Sequence, residues 1–156
     1  SGKVNIADST SNDIAITGVQ LEVGTYTSAD LPPFRHESFG DNLRRCLRYA
    51  YQAIQGTGEE LSGGWYYSTS HISWMMVFPV PMRVKPTCTA SDAADMWVIY
   101  RAAGADTFES IHLENTDNLF DKVSMYNSTD VSGTAGDAGI VRSYDASSSA
   151  FFDAEL

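Results

Sequence analysis

"SHISWMMVFPVPM", Ser70 to Met82, alternates more cleanly than any other stretch of the chain: Ile72, Trp74, Met76, Phe78 and Val80 fall on one side, and Ser73, Met75, Val77 and Pro79 on the other. A period of two puts successive side chains on opposite faces of an extended backbone, so the stretch predicts a β-strand with one buried face. Pro79 and Pro81 lack the N–H that a ladder requires, which sets the later half of this strand at an edge or a bend.

Working outward from it, the runs "VKPTCTAS", "DMWVIYRA", "FESIHLEN", "FDKVSMYN", "GIVRSYDA" and "AFFDAEL" follow as further strands. Spacings of roughly ten residues between strands are those of a sandwich or barrel. The segments between them, "ASDAAD", "ENTDN", "NSTDVSGTAGDAG" and "DASSSA", hold the Asp, Asn, Ser and Gly that turns prefer, and mobility is expected in the longest. "QGTGEELSGGWYY", Gln55 to Tyr67, reads as a glycine-rich loop without the spacing or the Lys of a phosphate cradle. On the N-terminal side, Asp41 caps a helix of about two turns with Leu43 and Leu47 on one face, feeding directly into a strand where Tyr49, Tyr51 and Ala53 alternate.

Further upstream, "DIAITGVQLEVG", Asp13 to Gly24, reads as one long strand whose apolar phase flips at Gly18, as at a β-bulge. Pro32 and Pro33 cannot continue a central strand and mark the domain boundary, with residues 1–33 on one side and 34–156 on the other. The expected fold is all-β, an antiparallel β-sandwich with one short helix.

At 156 residues the chain is long enough to bury a core without a metal or disulfide staple. No apolar run approaches the roughly 20 residues that span a bilayer, so membrane insertion is not expected. Twenty acidic residues stand against 10 basic ones for a formal charge of -10, and only Arg44, Arg45 and Arg48 cluster. A polyanion draws its affinity from clustered positive charge, so a nucleic-acid partner is disfavoured. Cys46 and Cys88 have no metal-ligand spacing, and apolar neighbours predict a buried thiol for each.

Asp92 with Asp95, or Asp117 with Asp121, are the acid pairs from which glycoside-cleaving carboxylates would be drawn, but with 20 acids such pairs arise anywhere. His36, followed by Glu37, lacks the second His of a metalloprotease, and His71 and His112 read as solitary, half-buried strand residues. Oxygen-rich loops suit calcium, yet Asx turns explain the same residues. No catalytic residue, metal or cofactor is expected. Trp65, Tyr66 and Tyr67 are adjacent, so at least one points away from a core if the segment is extended. An exposed ring beside Asp or Asn stacks on a pyranose, which makes Trp65, Tyr66, Tyr67, Asp92 and Asp95 the candidate ligand-binding residues. The same rings equally suit packing between subunits.

Three motifs carry a family resemblance. Gly18, Gln20, Leu21, Glu22 and Gly24 form the first; Phe34, His36, Ser38, Phe39 and Gly40 the second; Leu43, Cys46, Arg48 and Tyr49 the third. Together with "FPVPMRVKPTCT" (Phe78 to Thr89) and the terminal "DAEL" (Asp153 to Leu156), they resemble the C-terminal region of tail fibre and tailspike proteins of tailed bacteriophages. Phe39, Asn42 and Ala50 depart from that pattern. The resemblance implies a virion protein acting outside the bacterial cell. It implies that residues 1–33 are the closing strand of an upstream jelly roll and that the C-terminal sandwich is jelly-roll-like and assembles as a homotrimer. The partner it implies is a bacterial surface polysaccharide or lipopolysaccharide, bound without catalysis. A trimerisation cap that touches no receptor is the alternative, and a glycan depolymerase ranks last because no β-helix repeat is present.

Overall fold

The structure, a computed structural model, describes residues 23–27, 30, 33, 36–114 and 120–155. The strand expected over Asp13 to Gly24 lies, but for its last two residues, outside them. The chain divides into two compact units, Ser1–Phe39 and Gly40–Leu156, and the β body is the second.

Helix α1 (Phe39–Leu47) leads into β1 (Ala50–Gln55), β2 (Glu60–Ser68), β3 (His71–Val77), β4 (Thr87–Ala90), β5 (Trp97–Arg101), β6 (Gly104–Phe108), β7 (His112–Leu113), β8 (Lys122–Asn127), β9 (Ala138–Ser143) and β10 (Ser149–Asp153). These strands make two antiparallel sheets, one of three strands in the order β1-β10-β4 and one of seven in the order β6-β5-β9-β2-β3-β8-β7. The all-β sandwich with one short helix is therefore the observed architecture.

The alternation that defines β3 does what its pattern requires. Ile72, Trp74 and Met76 are buried, while Met75 and Val77 are exposed. Facing residues from the other strands complete one core: Tyr66, Trp97, Ile99, Phe108, Met125 and Val141 from the large sheet, Ile54, Ala150 and Phe152 from the small one. Each of the Ile, Val, Met and Phe side chains among them contributes about 1.5–3 kcal/mol by leaving water. Phe78, just past β3, ties the layers together, meeting Phe152 edge-on at 5.2 Å and Tyr51 at 6.0 Å. Trp74 and Trp97 are both core residues.

Several expectations are corrected. Gln55 to Tyr67 is not a loop; β2 occupies most of it, paired with both β3 and β9 in the interior of the large sheet. Neighbours on both sides satisfy its backbone groups, and this outweighs the weak strand preference of Gly63 and Gly64. Of the edge or bend expected where Pro79 and Pro81 fall, the structure has the bend: β3 lies between β2 and β8, and the chain bends at Pro79 and Val80 just past the strand. Among the described residues, "FESIHLEN" holds the end of β6 at Phe108 and then only the two-residue β7, and β6 itself starts at Gly104. Helix α1 starts at Phe39, which puts Asp41 inside the first turn, where a carboxylate still complements the helix dipole.

The two thiols are not alike. Cys88 lies on the small sheet, partly buried and packed on the core, and burial pushes its thiol up to about 12. Cys46 is exposed on α1, donating to Asn42 Oδ1 at 3.4 Å, because no residue of that helix is buried. Both are free. Only the thiolate reacts, so a thiol reagent at pH 8 should label Cys46 quickly and Cys88 at least about a hundredfold more slowly until the protein is denatured. Equal rates at the two sites in the native state would contradict this placement.

The β8–β9 connection, residues 128–137, is held rather than loose. Gly133 N–H donates to Thr69 O (2.9 Å), Gly136 N–H to Tyr66 O (2.9 Å) and Tyr66 N–H to Asp137 O (2.8 Å). At its base Asn127 is fully buried, its Nδ2 donating to Ser110 O (2.9 Å) and its Oδ1 accepting from Thr129 N–H (3.1 Å).

Candidate functional site

Three consecutive rings on β2 take opposite faces. Tyr66 points into the core at 1% exposure, while Trp65 at 43% and Tyr67 at 74% point out of the large sheet. A polar cluster fixes this choice. The Tyr66 hydroxyl donates to Asp106 Oδ2, which also accepts from Ser132 N–H at 2.8 Å, and Arg101 lies over the Tyr66 ring with its guanidinium carbon 4.7 Å from the centroid. Arg101 donates to Ser132 O (2.8 Å) and pairs with Asp137 (3.5 Å). Burial first, and then the Asp106 carboxylate, hold the Tyr66 hydroxyl well above its ordinary pKa, so it stays a neutral donor. With Tyr66 locked inward, the pleat turns Trp65 and Tyr67 outward.

Strand register shows what surrounds them. One transverse row on the outer face of the large sheet runs Ala105, Tyr100, Ile140, Gly63, as β6, β5, β9 and β2 pair. It continues to Met75, next along β3 from the Trp74 that pairs with Gly64, and to Ser124 on β8. The adjacent row runs Ala138, Trp65, Ser73, Tyr126, His112. Tyr100, Ile140, Met75 and Val77 are all more than two-fifths exposed on this face, in addition to the two β2 rings. Gly63 is a gap in the middle: no heavy atom beyond its chain neighbours comes within 4 Å of where a Cβ would sit. Along the strand the gap ends at Trp65 on one side and, on the other, near the Arg142–Glu60 ion pair, whose Arg142 lies over the Tyr100 ring at 5.8 Å.

His71 and His112 are not solitary. Their rings flank Tyr126, His71 stacked on it at 5.4 Å and His112 tilted at 5.6 Å, and Tyr67 meets His71 edge-on at 5.6 Å. Each Nε2 is engaged by a serine hydroxyl, Ser73 at 3.1 Å and Ser110 at 2.9 Å. Among the described residues, no three His, Cys, Asp or Glu side chains gather as a metal site would require.

The other candidates lie elsewhere. Asp92 and Asp95 are in the exposed β4–β5 connection, Asp95 with a φ of 56°. That loop enters β5 at Trp97, which pairs with Ser143, whereas Trp65 pairs with Ala138 at the other end of β9, about 16 Å along the strand. The structure thus joins Trp65 and Tyr67 on one face and puts Tyr66, Asp92 and Asp95 outside that group. Asp117 lies outside the described residues. Sequence reasoning missed Gly63, Met75, Tyr100 and Ile140. The available signal was Met75 and Val77 on the side of β3 that alternation assigns to water. Neither protein-family models, curated proteins nor solved structures contain a match to this chain.

Proposed function

We propose that this chain is a non-catalytic carbohydrate-binding module, the C-terminal part of a bacteriophage tail fibre or tailspike that attaches the virion to a bacterial surface glycan. The observation that carries the reading is the outer face of the large sheet, where Trp65, Tyr67 and their neighbours expose flat rings on a rigid support, beside the partly exposed Ser124 and the Arg142–Glu60 pair. Sugars present apolar C–H faces bordered by hydroxyls, and such a surface suits both. The tail-fibre motifs supply the biological setting. In this reading the sandwich is jelly-roll-like and a homotrimer presents three shallow sites together, so avidity multiplies a weak contact.

A second reading, a trimerisation cap, draws on α1, none of whose residues is buried although Leu43 shares a face with Leu47. One experiment separates the two. The wild type and Trp65→Ala/Tyr67→Ala are applied to an array of bacterial capsule and O-antigen polysaccharides, and their solution masses are measured. Attachment predicts binding to at least one glycan, a loss of about 30-fold or more in the variant, and an unchanged mass near three times the 17.0 kDa of one chain. A wild type that binds no polysaccharide, or a variant that binds as well as the wild type, overturns the adhesion reading; loss of the trimer in the variant favours the cap.

A further inference from the structure

The gap over Gly63 has a definite size and chemistry. Ile140 on β9 and Met75 on β3 wall it from the two neighbouring strands, each about two-fifths exposed. Two strand spacings separate those walls, about 9.5 Å between backbones, which the side chains narrow further. An α-helix, about 10–12 Å across, does not enter such a slot; a single ring does. Its ends differ, with the Trp65 indole at one and the Arg142–Glu60 pair at the other, so apolar walls lead to one charged but mutually neutralised polar end.

Charge narrows the occupant further. The slot contributes no net charge and the chain carries -10, which opposes an anionic ligand. What remains is an uncharged, ring-sized, polyhydroxylated group. Resting on the carbohydrate-binding reading above, we propose that the Gly63 slot seats one neutral hexopyranose unit of the glycan. Its C–H face lies against the Met75 and Ile140 walls and the Trp65 ring, and its hydroxyls meet the Arg142 guanidinium and the Glu60 carboxylate. Glycine is required at position 63 because any side chain there would occupy the seat.

This gives a substitution that the fold tolerates and the ligand does not. A Cβ at position 63 meets nothing within 4 Å, and a β-branched residue suits an interior strand, so Gly63→Val should melt at or above the wild-type temperature. The wild type, Gly63→Val, Gly63→Ala and Trp65→Ala are compared on an array in which neutral polysaccharides are paired with uronic-acid and phosphate-bearing ones. The expected result is wild-type binding to neutral glycans, a loss of at least tenfold in Gly63→Val, a smaller loss in Gly63→Ala, and melting temperatures that do not fall. Should Gly63→Val misfold, Gly63→Ala carries the comparison. Undiminished binding by both glycine variants while Trp65→Ala fails overturns the slot and leaves the adhesion reading standing. Binding confined to acidic glycans overturns the neutral occupant alone. A wild type that binds nothing overturns both.

Discussion

Trp97→Ala is expected to cost about 3–5 kcal/mol, the range for deleting a fully buried indole, out of a total of about 5–15 kcal/mol for a domain. The side chain is wholly buried and its Nε1 donates to Ser91 O at 3.1 Å, which anchors the connection from β4 to β5. The variant therefore loses packing and also leaves a carbonyl without its donor. Trp74 makes the informative comparison. It is equally buried, but among the described residues its Nε1 has no hydrogen-bond partner. Trp74→Phe leaves a small cavity and removes an unpaired polar group, effects of opposite sign, for a net cost under about 1.5 kcal/mol. Trp97→Phe gives up a made bond and should cost about 1–3 kcal/mol more than Trp74→Phe. Urea unfolding of the three variants measures all of this. If Trp74→Phe proves as damaging as Trp97→Phe, the difference in indole bonding is not what separates the two sites.

Gly139→Ala is expected to be the most damaging single-methyl change in the large sheet, at about 3 kcal/mol or more. A Cβ there would collide with the Tyr100 carbonyl oxygen and sit 2.9 Å from Ile99 Cγ1. The obstacle is a backbone carbonyl, which cannot swing aside without opening the β5–β9 ladder where Arg101 pairs with Gly139. Gly63, on the adjacent strand β2, is the control, since the same methyl there meets open space. Thermal melts of Gly139→Ala and Gly63→Ala should therefore differ by about 10 °C or more for a body of this size. Equal melting temperatures would mean that the β5–β9 ladder yields freely at that point.

The strands most legible in the sequence are β3, β8 and β9, whose alternation mirrors a dry and a wet face, and β5, whose unbroken apolar run Trp97 to Ile99 is buried throughout. β2 was hidden because Gly63 and Gly64 carry no side chain with which to alternate, and what makes them a strand is pairing on both sides by partners remote in sequence. β6 was hidden for a related reason, as "GADTF" offers one buried ring, Phe108, and no pattern around it. The candidate site was half visible. Adjacent rings at 65 to 67 require at least one to face outward, yet which of them does so depends on Asp106 and Arg101, supplied by β6 and β5. The row that joins Tyr100, Ile140, Gly63 and Met75 exists only once the register of four strands is known. Cys46 was misjudged because a helical apolar stripe implies a covered face, and this helix has none.

Strand β10 lies between β1 and β4, and its Ser149 accepts from Gln52, 97 residues earlier. The smaller sheet thus has no centre until that late segment has left the ribosome, which at about 5–20 residues per second leaves β1 waiting for several seconds. During that interval Ile54, half of a closing lid, stays wet and sticky. Growing chains brought close together on one messenger are then at their most prone to tangle, and a product cut short before Phe152 would be left with a permanently open core, a ready target for proteases.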